Sequence, residues 1–290
     1  MTNILRLILF LSLIPLAFAP ALASEKPPIP GTRASQLDLV RDSVFYSVSL
    51  KREMRYRVLI PRDYEKNGRV RVLYLLHGLY GDYRNWDSYT GLQNYDGKLR
   101  LLIVMPDADD AWYTNSATVP LDRFEDYIVK DLISEIDEKY KTIRAAKGRA
   151  IAGLSMGGYG AVKLGLKYPQ LFAFVGSLSG ALNAAQNLDI QRPEFRPKLR
   201  EVFGDEGSRT RGENDIFQLL STPHQTPRPY FYLACGTNDF LLETNRALAE
   251  QLSSRSINYE YHETPGGHTW AYWDRALLLL LECIEEKFLE

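Results

Sequence analysis

The chain has 290 residues, of which 45% are hydrophobic and 24% charged, with 35 Lys and Arg against 36 Asp and Glu. A formal net charge of −1 offers no basic face for a nucleic-acid partner. The sequence is also too apolar, and its charges too evenly balanced, for a disordered chain. Two cysteines cannot form a disulfide framework, so the fold depends on a hydrophobic core, and the length allows one large α/β domain or two small ones.

The first 23 residues have the pattern of a secretory signal peptide. Arg6 precedes an apolar run at residues 7–19, and Ala21-Leu22-Ala23 is a small-x-small cleavage site. The run is shorter than the ~20 residues that a spanning helix needs and contains a proline, so a cleaved signal is favoured over a membrane anchor. The sequence predicts an exported chain of 267 residues without stable membrane insertion after cleavage, beginning with a flexible leader at residues 24–36.

The rest of the chain has the pattern of one α/β domain, residues 37–290. Two alternating patterns, at residues 37–49 and 55–60, flank a charged turn at residues 51–53 and predict an antiparallel strand pair. Short apolar runs typical of buried strands then alternate with helical patterns, which predicts a mostly parallel, doubly wound sheet. The later strands are predicted at residues 70–76, 101–105, 150–152, 172–177, 230–234 and 259–261, and the helices at 121–140, 157–168, 241–252 and 270–288.

One segment, residues 181–228, interrupts this alternation. It has prolines and scattered charges and is long for a simple connection between two strands. We therefore expect it to be an insertion, or cap, over the carboxyl ends of the strands. Cys235 lies in a strand pattern and Cys283 on an apolar helix, so both are predicted to be buried free thiols.

The segment Gly153-Leu154-Ser155-Met156-Gly157 matches the pattern of a nucleophile elbow. Apolar residues precede it and a helical pattern follows, which is the strand–turn–helix setting that the elbow requires. A strained serine needs small neighbours, and the helix N-terminus offers free N–H groups near developing negative charge. A glycine-rich turn without chemistry is the alternative, but this context favours Ser155 as a nucleophile.

A nucleophilic serine needs a histidine base, and the base needs an orienting acid; in this fold they follow in the order serine, acid, histidine. His268 follows a Pro-Gly-Gly loop between the last strand and the last helix, from where it can reach Ser155. His224 lies in the insertion, where nothing fixes it, and His262 belongs to a strand pattern, so we expect its role to be structural.

Asp239 is the preferred acid because it follows a predicted strand where the chain turns toward a helix. Glu243, one helical turn further on, is its closest competitor. Asp205 and Asp215 lie among other charges in the insertion and are expected to be solvated.

An acyl-transfer intermediate also needs two preorganised N–H donors for its oxyanion. Met156, directly after the nucleophile, should supply one. The other is expected from Leu79 in residues 77–81, here called the oxyanion loop, where Gly78 permits a tight turn. His77 is predicted to brace this loop rather than to act as the base.

Together these motifs resemble the esterase D-like branch of the α/β-hydrolases. That branch includes tributyrin-type carboxylesterases, S-formylglutathione hydrolases, feruloyl and acetyl-xylan esterases, and mycolyltransferases. The resemblance covers the chain from about residue 37 onward, and by it Ser155, Asp239 and His268 match the triad while Leu79 and Met156 match the oxyanion donors. The segments that carry it are His77-Gly78-Leu79, residues 105–107, Trp112-Tyr113-Thr114-Asn115, residues 153–160, residues 236–241 and Gly267-His268-Thr269-Trp270.

The resemblance implies a serine carboxylesterase that hydrolyses short-chain, aryl or sugar esters through an acyl-enzyme on Ser155, and the signal-peptide pattern predicts that it is secreted or periplasmic. The alternatives are an acyltransferase of the mycolyltransferase type, a non-catalytic binding module, and an S-formylglutathione hydrolase, which export disfavours because glutathione chemistry belongs to the reducing cytosol. Trp86, Trp112, Asn115 and Trp270 are candidate substrate-binding residues, although core packing explains aromatic side chains equally well. No spacing predicts a metal or a cofactor, and the sequence makes no prediction of oligomeric state.

Overall fold

One eight-stranded sheet organises the chain. The computed structural model describes residues 39–62, 64, 68–95, 100–222 and 228–289. The predicted signal peptide and leader, and also His224, lie outside the described residues. The strands are β1 (Val40–Ser47), β2 (Arg52–Leu59), β3 (Arg71–Leu76), β4 (Leu101–Pro106), β5 (Arg149–Leu154), β6 (Phe174–Leu178), β7 (Tyr230–Gly236) and β8 (Tyr259–Thr264).

The order of the strands across the sheet is β1-β2-β4-β3-β5-β6-β7-β8. β2 pairs antiparallel with both β1 and β4, and all the other neighbouring pairs are parallel. This confirms the predicted class, an α/β-hydrolase sheet that is mostly parallel with antiparallel N-terminal strands. In a parallel sheet the carboxyl ends of the strands meet at one edge, so loops that are distant in sequence come together there.

Helices cover the sheet between the strands. The α-helices are α1 (Asn85–Tyr89), α2 (Leu92–Tyr95), α3 (Phe124–Asp126), α4 (Ile133–Lys139), α5 (Met156–Lys167), α6 (Arg196–Phe203), α7 (Arg209–Asn214), α8 (Ile216–Ser221), α9 (Leu242–Ser254) and α10 (Trp270–Ile284). A π-helical segment, Tyr127–Leu132, joins α3 to α4, and a second, Glu285–Leu289, follows α10. None of the helices in the described ranges is long and apolar enough to cross a bilayer.

The continuous apolar runs of β3 to β6 follow from burial on both faces of the sheet. In β3, Val72 and Leu76 belong to the core cluster on the face covered by α5, whereas Leu73 and Leu75 belong to the cluster on the face covered by α10. Successive strand residues point to opposite faces, so two cores require apolar residues at every position. These two cores fix β5 and α5, which flank Ser155.

The turn between β1 and β2 lies at residues 48–51, earlier than the predicted 51–53. The Asp131 carboxylate accepts hydrogen bonds from the Ser47 hydroxyl, at 2.6 Å, and from the Ser49 amide, at 2.8 Å. Because this acceptor comes from a distant helical segment, the local charge pattern could not locate the turn.

The helical segments also differ in detail from the predictions. The helix predicted at residues 121–140 begins at Phe124 and contains the π-helical turn. Residues 181–228 lie between β6 and β7, and their described part contains the short helices α6 to α8, which the sequence pattern did not reveal. The pattern also missed α1 and α2, which are too short to show a helical period. Cys235 and Cys283 are both free and buried, as predicted.

Candidate active site

Ser155 occupies the sharp turn between β5 and α5. Its φ of 52° and ψ of −115° are a strained conformation for a residue with a side chain, as expected for a nucleophile elbow. The turn needs glycine on both sides because the chain approaches itself closely. A Cβ on Gly153 would lie 2.5 Å from the carbonyl carbon of Gly157, and a Cβ on Gly157 would lie 2.5 Å from the Leu76 carbonyl oxygen.

His268 connects Ser155 to Asp239. Its Nε2 lies 3.0 Å from Ser155 Oγ, and its Nδ1 lies 2.9 Å from Asp239 Oδ2 and 3.2 Å from Oδ1. Ser155 follows β5, Asp239 follows β7 and His268 follows β8, so the three side chains converge from the carboxyl ends of different strands. The structure thus brings together the three residues predicted from the order of the motifs.

The surroundings of Asp239 determine which nitrogen of His268 carries a proton. Burial raises the pKa of Asp239, but the hydrogen bond and the charge of His268, together with the Leu241 amide at 2.9 Å, outweigh burial and leave this pKa below its usual value. The ionised carboxylate can only accept, so Nδ1 of His268 must donate. In the neutral imidazole, Nε2 is then free to accept the proton of Ser155.

Two aromatic rings enclose the imidazole of His268, whose side chain is 20% exposed. The Phe240 ring centroid lies 4.7 Å from that of His268, and the Trp273 ring lies edge-on at 4.8 Å. Phe240 is 55% exposed, and the Arg192 guanidinium of the insertion lies 4.2 Å above its ring. The insertion therefore reaches the aromatic wall beside the base.

The oxyanion loop lies directly against the elbow. A Cβ on Gly78 would lie 3.5 Å from the Cβ of Ser155. Met156 is the first residue of α5, so its N–H has no acceptor within the helix. Among the described residues, none accepts a hydrogen bond from the amide of Met156 or from that of Leu79.

His77 fixes the direction in which the Leu79 N–H points. The Ala108 amide donates to His77 Nε2 at 3.0 Å, so the proton of the neutral ring is on Nδ1, which donates to the Gly78 carbonyl at 2.8 Å. The Gly81 amide donates to the same carbonyl at 3.1 Å. A trans peptide points its C=O and N–H in opposite directions, so holding the Gly78 carbonyl orients the Leu79 N–H. Burial lowers the pKa of His77, which keeps the ring neutral.

The structure keeps the competing acids away from His268. Glu243 is 81% exposed and pairs with Arg246, and Asp205 is similarly exposed. Asp215 is buried, not solvated as expected, because its carboxylate caps α8 by accepting the Phe217 amide at 2.9 Å.

His262 has structural contacts only, as expected for a strand residue. Its Nε2 lies 3.2 Å from Glu260 Oε2, and its ring stacks on Tyr232 at 5.2 Å. It makes no hydrogen bond to Ser155 or Asp239 in the described part of the chain.

The four candidate substrate-binding residues have packing contacts. The Trp86 indole is 1% exposed and donates to the Leu76 carbonyl at 3.0 Å. Trp112 is 6% exposed, and the Asn115 amide oxygen accepts the Asp126 amide at 3.1 Å. Trp270 is half-buried and packs edge-on against Trp273, which faces the base. Substrate contact by these four residues stays a prediction.

Sequence reasoning gave no role to Phe240, Arg192 or Lys163. The position of Phe240 directly after Asp239 could have marked it. Within the described ranges, no three His, Cys, Asp or Glu side chains form a cluster suited to a metal ion.

The sheet, the strained serine at the end of β5 and its hydrogen-bonded histidine and aspartate define a serine hydrolase of the α/β-hydrolase class. Comparison with known proteins agrees: residues 47–281 match the family described as "Putative esterase". The chain belongs to this esterase family, in the esterase D-like branch of the α/β-hydrolases.

Three relatives illustrate the similarity. An acetyl esterase from Caldicellulosiruptor saccharolyticus is 29% identical over 80% of this chain and 92% of its own length. The structure of FphF, a fluorophosphonate-binding serine hydrolase from Staphylococcus aureus, matches with a TM-score of 0.77 and 26% identity, covering 84% of this chain and 97% of that one. The S-formylglutathione hydrolase FrmB of the same organism matches with a TM-score of 0.72 and 25% identity over 84% and 98%.

Proposed function

We propose that this protein is an exported carboxylesterase that hydrolyses esters of short acyl groups through an acyl-enzyme on Ser155. The observation that carries the proposal is the pair of hydrogen bonds made by His268, one with Ser155 Oγ at 3.0 Å and one with Asp239 at 2.9 Å. That arrangement is what a hydroxyl needs in order to become a nucleophile.

The reaction has two halves with the same proton path. Ser155 Oγ attacks the ester carbonyl carbon and passes its proton to His268 Nε2. The carbonyl oxygen takes up negative charge and accepts hydrogen bonds from the N–H groups of Leu79 and Met156. Collapse of this intermediate breaks the bond to the alcohol, which leaves with the proton from Nε2. Water then attacks the acyl-enzyme and gives a proton to Nε2. Collapse of this second intermediate breaks the bond between the acyl carbon and Ser155 Oγ, which takes the proton back from Nε2, and the carboxylic acid is released.

Asp239 does not take the proton. Its carboxylate, whose pKa is held below the usual value, stabilises the imidazolium that forms at His268 and keeps the ring in the productive tautomer. This division of roles requires no group beyond the chain and water.

Two observations support a preference for short acyl groups: the approach to His268 is crowded, and one relative is named as an acetyl esterase. Phe240, Trp273 and the Arg192 guanidinium from the insertion narrow the space beside the base. Export is supported by the signal-peptide pattern, which also disfavours a glutathione thioester as substrate.

Replacing Ser155 tests the proposal. The wild-type protein should incorporate one fluorophosphonate per chain at Ser155 and hydrolyse p-nitrophenyl acetate. Ser155→Ala should lose both activities while unfolding at the wild-type temperature. Turnover by a folded Ser155→Ala variant, or labelling at another residue, would refute the mechanism.

A panel of substrates tests the specificity. p-Nitrophenyl esters of two to eight carbons, a feruloyl ester and an acetylated sugar should rank the short acyl groups first. Adding a carbohydrate acceptor separates hydrolysis from acyl transfer: release of free acid supports the proposal, and predominant transfer to the sugar contradicts it. The N-terminal sequence of protein secreted by an expressing host tests cleavage after Ala23.

A further inference from the structure

A strained loop lies beside the elbow, at residues 111–115. Two successive aromatic residues in it have left-handed backbone angles, with φ of 54° at Trp112 and 52° at Tyr113. Bulky residues seldom adopt this conformation, and it persists only where the surroundings hold it. Tyr113 is completely buried.

A buried ammonium group holds this loop in place. Lys163 of α5 donates to the Tyr113 carbonyl at 2.6 Å, to the Thr114 hydroxyl at 2.9 Å and to the Glu125 carboxylate at 2.8 Å. These three bonds use all of its N–H groups, and the side chain is fully buried. The Thr114 hydroxyl in turn donates to the Trp112 carbonyl at 2.8 Å. Both strained residues are thereby tied to α5.

The ring of Tyr113 fits against α5 only because residue 160 is glycine, since a Cβ there would lie 2.5 Å from the ring. In this position the Tyr113 hydroxyl donates to the His77 carbonyl at 2.8 Å. His77 is the first residue of the oxyanion loop, and the carbonyl of Gly78, the next residue, is held by His77 Nδ1 and the Gly81 amide. Two successive peptides before the Leu79 N–H are therefore fixed.

We propose that Tyr113 is a positioning residue for the oxyanion loop and that Lys163 sets Tyr113 in place. Tyr113 touches no reacting atom; its hydroxyl keeps the Leu79 N–H directed at the position where the oxyanion forms. This inference rests on the proposed function, because it assigns a role within the same site. Removing the hydroxyl should weaken stabilisation of the transition state more than binding of the ester.

Tyr113→Phe tests the inference directly. We expect kcat for p-nitrophenyl acetate to fall at least tenfold while KM changes less than twofold, and the shape of the pH–rate profile to stay that of the wild type. Affinity for an aryl trifluoromethyl ketone, whose adduct with Ser155 carries an oxyanion, should fall by a similar factor.

Tyr159→Phe is the matched control. Tyr159 is also completely buried and packs edge-on against Trp112 of the same loop at 5.7 Å, but its hydroxyl donates to the Asn214 carbonyl at 2.7 Å and not to the oxyanion loop. Both variants should lose comparable thermal stability, whereas Tyr159→Phe should keep kcat within twofold of the wild type. Equal kcat values for the two variants would overturn the inference.

A double variant tests the role of Lys163. It also tests whether Tyr113 positions the oxyanion loop if the Tyr113→Phe variant does not fold. Lys163→Met combined with Glu125→Gln removes the ammonium without leaving a buried carboxylate unpaired. It should reproduce the loss in kcat at unchanged KM, and adding Tyr113→Phe should lower kcat by less than a further twofold. A wild-type kcat in the folded double variant would overturn the role of Lys163.

The outcomes separate this inference from the proposed function. If fluorophosphonate does not label Ser155 of the wild type, the proposed function is refuted, and the inference that rests on it is refuted with it. If Ser155 is labelled and hydrolysis proceeds, but neither Tyr113→Phe nor the Lys163 variant changes kcat, the inference alone fails.

Discussion

Asp239 illustrates how the surroundings of one side chain define its chemistry. The side chain is completely buried, yet its pKa lies below the usual value because His268 and the Leu241 amide stabilise the charge. A carboxylate held in this way can orient an imidazole without taking its proton. Glu243, only four residues further on, is 81% exposed and pairs with Arg246 instead.

Asp239→Asn should therefore reduce kcat by about a thousandfold or more at neutral pH. The amide can donate to Nδ1 and stabilise the wrong tautomer, in which Nε2 carries the proton and cannot accept one from Ser155. Steady-state hydrolysis of p-nitrophenyl acetate measures the effect, with Glu243→Gln as the control expected to keep full activity. If Glu243→Gln is the variant that loses activity, the acid has been misassigned.

At the scale of one element, α5 combines several tasks. Its first residue, Met156, is the proposed second donor to the oxyanion, and Gly157 and Gly160 let the helix approach the oxyanion loop and Tyr113. One turn further, Lys163 reaches the buried Glu125 carboxylate, which also accepts from Lys167 at 2.6 Å. A buried ion pair of this kind costs stability when one partner is lost.

The Glu125 carboxylate gives the fold a specific sensitivity to acid. Burial raises its pKa, but Lys163 and Lys167 outweigh burial and lower the pKa from its usual 4.5 to about 2. A lowered carboxyl pKa stabilises the fold above pH 4.5, and this contribution is lost as the pH falls from 4.5 to 2.

Glu125→Gln should make this contribution visible, because glutamine resembles the protonated acid. The variant should be less stable than the wild type at pH 7, and the difference in free energy of unfolding should shrink between pH 4.5 and 2. Urea titrations across that range measure it. Glu250 is exposed, so Glu250→Gln should show no such difference. If the loss in free energy of unfolding caused by Glu125→Gln stays constant with pH, Glu125 is not the source of the acid sensitivity.

At the scale of the whole molecule, two apolar cores hold the sheet and no covalent crosslink is present among the described residues. Cys235 lies in β7 and Cys283 in α10, and burial raises the pKa of each thiol to about 12. A thiol with so high a pKa is almost entirely unionised at pH 8 and therefore unreactive.

The native protein should show no fast-reacting thiol with Ellman's reagent at pH 8, and two per chain after unfolding in guanidinium chloride. Reductant should not change its unfolding temperature. Cys283→Ala should leave one titratable thiol in the unfolded protein. A thiol that reacts at once in the native state, or the absence of titratable thiols after unfolding, would contradict this assignment.

The sequence alone predicted the sheet class and the meeting of Ser155, Asp239 and His268. Each residue directly follows a recognisable strand or a glycine-rich turn, and parallel strands bring their carboxyl ends to one edge. Element boundaries were less accurate, because contacts such as that of Asp131 with the turn between β1 and β2 determine them.

The sequence by itself thus determined the class of fold and the order of the site residues, because both follow from local residue patterns and from the spacing between motifs. The sequence also predicted that His77 braces the oxyanion loop, but only the tertiary structure revealed the contacts of Tyr113 and Lys163 behind it. Tyr113 and His77 are 36 residues apart, and Lys163 and Tyr113 are 50 apart. Neither pair has a local signature, because a buried lysine in a helix looks like any surface lysine until the packing around it is known.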